Sequence, residues 1–307
     1  MPRSLARRPA LPRRFAPAWT VLAVCLAAAA RPAPAQPAAP DTLRPPPFGA
    51  TDRVSARPTP PPREVEGRGE REIVLIHGLG ASAQVWDEMV PVLSRAFRVW
   101  AYELPGHGRT PPLPKLTIQT AADDLGRFLK EQGIALPVIV GHAMGGIIAM
   151  RYAFDHPADV KRLVVIDAAP KQLATQEQKS WTVDQLLRNY DAFVASSLDR
   201  VSPDEDLARR VVDQALRTDR ASFSSLLMSS FSLDMTEELP RQAVPILVIG
   251  TERFFPEGQE ARRQLDWLGY DKARTVSFKR LDNVGHFAML EQPTYLSSMI
   301  LAWAAAR

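Results

Sequence analysis

One cysteine, Cys25, stands in a chain of 307 residues. A disulfide framework and a cysteine-based zinc site are therefore excluded. Histidine is scarce as well: His77, His107, His142, His156 and His286 are the whole set. No glycine-rich phosphate loop is present, since Gly145-Gly146 alone does not meet that pattern, so nothing calls for a nucleotide. Nothing in the residue pattern calls for a metal or another cofactor either. The chain also lacks a long hydrophobic run. The apolar stretch from Ala18 to Ala30 falls short of the roughly 20 residues needed to span a bilayer. What is present is ordinary globular usage, 46% hydrophobic and 23% charged, which excludes a wholly disordered chain and a coiled coil.

Proline divides the sequence, because 15 of the 28 prolines fall in residues 1–63. The first 14 residues carry arginines and no acid. The apolar run follows, and Ala33-Pro34-Ala35 before Gln36 fits a small-residue cleavage rule. Basic, apolar, small is the order of a secretory signal peptide over residues 1–35, and the expected location is periplasmic or extracellular. Cleavage there removes six arginines and no acid and takes the net charge from +4 to −2. The basic character thus belongs to the leader and gives no support to nucleic-acid binding. No stable membrane anchor is expected after cleavage, and a cysteine-free remainder suits an oxidising compartment. Residues 36–69 read as a proline-rich linker.

From residue 70 to 307 short apolar runs alternate with amphipathic stretches. Strands are expected at Glu72–Ile76, Phe97–Tyr102, Pro137–Val140, Val160–Ile166, Val244–Ile249 and Thr275–Leu281. Helices are expected over Ala83–Ser94, Thr117–Gln132, Met144–Phe154 and Thr294–Ala305. Strands separated by helices imply an α/β fold with a mostly parallel sheet flanked by helices. Residues 171–240 break the alternation. Apolar residues from Trp181 to Leu198 recur at helical spacing. Ser202-Pro203-Asp204-Glu205 reads as a capping box opening a second helix, and Phe223 to Phe231 suggest a third. Such an insertion after a strand end reads as a helical cap over a pocket, because ligands of α/β sheets bind at that edge.

Five segments carry a resemblance. Gly141-His142-Ala143-Met144-Gly145, between a strand and a helix, resembles the G-x-S-x-G nucleophile elbow of the α/β-hydrolase superfamily. Four other segments are similar to motifs of that family, in the same order. They are His77-Gly78-Leu79-Gly80, Glu103-Leu104-Pro105-Gly106-His107-Gly108, Asp167-Ala168-Ala169-Pro170, and Gly285-His286 followed by Glu291-Gln292-Pro293. The likeness spans roughly residues 70–307 but departs at its start, where no first two strands are evident before Glu72. At Gly141 and Gly145 a side chain is expected to collide with neighbouring backbone.

The resemblance implies an α/β-hydrolase fold acting on an ester, amide or lactone, a small-molecule substrate with an apolar group. It implies His286 as general base and the backbone N–H groups of Leu79 and Met144 as the oxyanion hole. For the acid that orients His286, the family's usual loop offers Glu252, four residues before Pro256, and the earlier strand offers Asp167 as the alternative. Glu252 is modestly favoured. The decisive departure is Ala143 at the nucleophile position. A methyl group has no lone pair and no proton to give, so acyl transfer through that position is closed. Three readings stay open. The chain is an esterase-like scaffold that has lost its nucleophile, a serine-independent lyase- or oxygenase-type enzyme using His286, or a non-catalytic ligand-binding pseudoenzyme.

Overall fold

The computed structural model describes the backbone of residues 63–65 and all of residues 69–252, 254–255 and 260–305. The expected signal peptide, most of the expected linker and Pro256 lie outside them. Seven strands form one sheet: β1 (Arg63–Val65), β2 (Arg71–Ile76), β3 (Phe97–Tyr102), β4 (Val138–His142), β5 (Arg162–Ile166), β6 (Ile246–Gly250) and β7 (Val276–Arg280). Between and after them run α1 (Val90–Leu93), α2 (Ile118–Glu131), α3 (Met144–Asp155), α4 (Gln176–Arg188), α5 (Tyr190–Leu198), α6 (Glu205–Leu216), α7 (Arg220–Ser229), α8 (Ala261–Leu268), α9 (Ala288–Glu291) and α10 (Pro293–Ala305).

The spatial order is β1-β3-β2-β4-β5-β6-β7, and every pairing is parallel except that of β1 with β3. The central strands are continuous apolar runs because helices cover both sheet faces; all five residues of β4 and all five of β6 are buried. After β3 the chain crosses back over β2 to lay down β4 on its other side. That reversal opens a crevice at the C-terminal ends of β2 and β4, where α/β sheets take their ligands. The loop after β2 and the turn after β4 therefore share one edge.

Sequence and structure part at four places. A strand does precede Glu72: β1 falls inside the segment read as linker and pairs antiparallel with β3, Arg63 opposite Ala101. The helix expected over Ala83–Ser94 is a 3₁₀ turn, Ala83–Trp86, and then the short α1. The apolar run from Trp181 to Leu198 is two helices, α4 and α5, broken at Asn189, whose ψ of 42° is not helical. Finally, α6 is not opened by Ser202 with Pro203 in its first turn. Asp204 is the cap, its carboxylate accepting the N–H groups of Asp206 and Leu207 at 2.9 and 3.1 Å. A carboxylate is at least as good a cap as the serine hydroxyl, and Ser202 accepts the N–H of Asp204 instead.

Helices α4 to α7 form the insertion, between β5 and β6, and it is tied to the loops at the sheet edge. The Asp219 N–H donates to the Gly106 carbonyl at 3.0 Å, and the His286 N–H donates to the Val201 carbonyl at 2.7 Å. Gly80, at φ +75°, abuts Ala215 of α6 and Phe223 of α7; a Cβ there would lie 2.8 and 3.1 Å from their side chains. Among the described residues no helix is long and apolar enough to cross a membrane.

The close approach of α3 to the sheet depends on glycine. A Cβ on Gly145 would stand 2.3 Å from the His77 carbonyl oxygen and 2.5 Å from that of Ile76, both backbone atoms that cannot yield. Gly133, at φ +65°, has nothing within 4 Å of the same position. Gly145→Ala should therefore lower unfolding free energy by about 3 kcal/mol or more through overpacking. Gly133→Ala should cost only about 1–2 kcal/mol of left-handed backbone strain. Urea unfolding midpoints of the two variants compare them directly; equal losses would show that backbone conformation, not the approach of α3, sets the requirement.

Candidate active site

The turn between β4 and α3 carries Ala143 at φ 48°, ψ −116°. A residue with a Cβ is seldom held there, and such a conformation costs about 1–3 kcal/mol unless its surroundings impose it. Here they do. The Ala143 N–H donates to the Ile166 carbonyl at 2.9 Å, and its own carbonyl accepts the Ile147 N–H at 3.1 Å. A Cβ on Gly141 would lie 2.5 Å from the Gly145 carbonyl oxygen and 2.6 Å from the Gly146 nitrogen. The backbone of a nucleophile elbow is complete, while the side chain at its tip is a methyl group.

His286 lies against this turn. Its carbonyl accepts the His142 Nε2–H at 2.9 Å, and the two rings stand 4.4 Å apart. Its Nδ1 donates to Asp167 Oδ2 at 2.9 Å, with Asp167 fully buried and His286 7% exposed. A carboxylate only accepts, so the proton is on Nδ1 and Nε2 carries the ring's basic lone pair. Asp167 is held in turn by Thr251, whose N–H donates to Oδ1 at 2.8 Å and whose hydroxyl donates to Oδ2 at 2.7 Å. This corrects the favoured assignment of the acid. The carboxyl partner of His286 is Asp167, and Glu252 instead accepts the Asn283 N–H at 2.8 Å. Asp167 sits at φ 47°, a backbone state that aspartate tolerates better than most residues.

Leu79 and Met144 stand at the edges of the same crevice, and among the described residues neither backbone N–H has a hydrogen-bond partner. For Met144 this follows from its place as the first residue of α3, where a helix leaves its N–H groups unused and its dipole favours negative charge. The loop bearing Leu79 is braced from behind. Glu103 accepts the Ala83 N–H at 3.3 Å and the Arg109 N–H at 2.9 Å. His77 donates from Nδ1 to the Gly78 carbonyl at 2.8 Å and accepts the Leu104 N–H on Nε2 at 3.1 Å. Gly78 has no side chain because His142 fills that space: a Cβ would lie 2.9 Å from His142 Nδ1. Ser82 is buried in this loop, before the 3₁₀ turn rather than at the elbow.

Three residues escaped sequence reasoning. His142, the second residue of the elbow motif, supports the loop of His286. Thr251 clamps Asp167, and a threonine next to a strand-end glycine gives no sign of that. Val201 accepts the His286 N–H through its backbone carbonyl, which no sequence pattern reports. Among the described residues no group of three or more His, Cys, Asp or Glu side chains is placed to hold a metal ion.

Burial pushes three histidines below the ordinary 6.5. His77 falls to about 4, with His142 adding a smaller repulsion, and His107 and His142 fall to about 3, each lowered further by a neighbouring histidine. All three are neutral in the folded protein at pH 5, whereas the unfolded chain takes up their protons. Stability is therefore full above about pH 6.5 and is lost as pH falls toward the folded values. Each contributes a loss of about 2 kcal/mol between pH 6.5 and pH 5. Melting temperatures measured at pH 7.5 and pH 5 should show a marked drop at the lower pH; an unchanged value would remove this account of the buried histidines.

Comparison with known proteins accords with this geometry. Residues 73–297 match the sequence model of the Alpha/beta hydrolase family. The pimeloyl-[acyl-carrier protein] methyl ester esterase of Photorhabdus laumondii is 26% identical over 62% of this chain and 67% of its own length. That of Proteus mirabilis is 35% identical over 34% of this chain, a match spanning only 39% of its own length. The magnesium-chelatase 30 kDa subunit of Rhodobacter capsulatus is 27% identical over 75% of this chain and 86% of its own. Among solved structures, the enol-lactonase of Burkholderia xenovorans superposes with a TM-score of 0.69 at 21% identity, covering 80% of this chain and 96% of that one. An esterase from Thermogutta terrifontis gives 0.68 at 20% identity over 78% and 90%. Elbow, dyad, sheet order and sequence match agree: this chain belongs to the alpha/beta hydrolase family.

Proposed function

We propose that the site is arranged for hydrolysis of an ester-type small substrate, a carboxylic ester, amide or lactone with an apolar group, in an exported protein, and that Ala143 withholds the covalent step. The observation that carries this is the pairing of His286 with Asp167 beside a strained elbow flanked by two unpartnered N–H groups. In acyl transfer a serine oxygen attacks the carbonyl carbon while the histidine takes its proton and two N–H groups receive the charge that develops on the carbonyl oxygen. The His286–Asp167 pair and the two N–H groups support this reading, with a methyl where the oxygen would stand. The names of the methyl ester esterases to which the chain is similar support an ester as substrate. Apolar side chains beside the site, among them Leu79, Phe223 and Phe287, support an apolar acyl or alcohol group. Export rests on the basic, apolar and small-residue order of residues 1–35.

Ala143→Ser is the test. Serine adds one oxygen to a position whose backbone is already in place, so the fold should be unaffected. On short-chain nitrophenyl esters the variant should show an acyl-enzyme burst and a turnover about 10³-fold or more above the parent chain. An inactive, folded Ala143→Ser protein across such a panel would overturn ester hydrolysis as the chemistry of the site.

A further inference from the structure

With a methyl at position 143, what remains is a base and an acceptor for negative charge. His286 has its Nδ1–H bound to Asp167, so Nε2 is the atom that takes a proton, and Asp167 is placed to stabilise the imidazolium that results. The Leu79 and Met144 N–H groups await an oxyanion. Ala143, His286 and Asp167 are all buried, which strengthens charge interactions relative to water. These are the requirements for forming an enolate. An enolate oxygen bears its charge where a tetrahedral oxyanion would, so the same two N–H groups serve it. The methyl of Ala143 leaves the position of a serine oxygen open to a substrate carbon.

We propose that the chain as it stands catalyses reversible proton removal from the carbon between two carbonyls of a β-keto ester. The Cα–H bond breaks and its proton passes to His286 Nε2. The bond's electron pair forms the carbon–carbon double bond, and the carbonyl π pair moves onto the oxygen held by Leu79 and Met144. Return of a proton from Nε2 to the carbon closes the cycle without any change in oxidation state. A second carbonyl is required because the Cα–H of a simple ester is too weak an acid for imidazole, and proton transfer is effective only when donor and acceptor are near in acidity. The ester carbonyl is the group the oxyanion hole receives, so this inference rests on the ester-binding reading above.

The experiment is proton exchange of ethyl 2-methyl-3-oxobutanoate in D₂O, followed by NMR as loss of the Cα–H signal, with the full-length chain. The parent should accelerate exchange over buffer, and His286→Ala and His286→Gln should each lower the protein-catalysed rate about 10²-fold or more. Asp167→Asn should lower it while leaving the fold intact by circular dichroism. Exchange no faster than buffer, or exchange untouched in both His286 variants, overturns the proposal. Ala143→Ser on the same ester separates the two readings. If it hydrolyses the ester while the parent gives no exchange, the proton-transfer proposal falls and the ester reading stands. If it neither hydrolyses nor exchanges, both fall.

Discussion

Everything at this site depends on how closely the first turn of α3 is pressed against the sheet. Where Gly145 passes the carbonyls of Ile76 and His77 there is no room for a single carbon. That contact, together with the hydrogen bonds that lock Ala143 between Ile166 and Ile147, holds the elbow at a positive φ. It brings the Met144 N–H, the Leu79 loop and the loop of His286 to one edge of the sheet. The strain of the turn is maintained by packing, so it persists although the residue at its tip bears no reactive atom. The geometry of the turn is therefore independent of the chemistry of the side chain at its tip.

The buried imidazoles explain how the rest of the edge is kept in order. His77 bridges the ends of β2 and β3, and His142 bridges the elbow and the His286 loop. His77 uses both nitrogens of a neutral ring, one as donor and one as acceptor, whereas His142 uses only its Nε2–H. A protonated ring would have two donors and no acceptor, which would break the bond from Leu104 to His77. The low proton affinity that burial gives these rings is thus part of the same architecture that fixes the loop bearing Leu79.

Much of this was legible in the residues. The glycine spacing around Ala143 placed the elbow, and Gly285-His286 ahead of a closing helix picked out the histidine that lies beside it, because both depend on short contiguous patterns. The acid was not legible in the same way. Asp167 and Thr251 follow β5 and β6, which pair as neighbours with Ile166 opposite Ile249. Adjacent strands lie only about 4.8 Å apart, so either strand end brings a carboxylate within reach of His286. The choice is made by Thr251, which binds Asp167 with two hydrogen bonds, while Glu252, one residue further, turns to Asn283. The antiparallel β1 was hidden because three residues amid proline-rich sequence carry no periodicity, and the α6 cap shifted because two residues on either side of Pro203, Ser202 and Asp204, were both competent to open the helix.

The hydrogen bond from the His286 N–H to the Val201 carbonyl has a consequence for motion. It joins the insertion to the His286 loop through the main chain, at 2.7 Å, with Val201 itself buried. Lifting the α5–α6 connection away from the sheet would break that bond and release the His286 backbone. The exchange rate of a single amide hydrogen, that of His286, would report how often the two segments part.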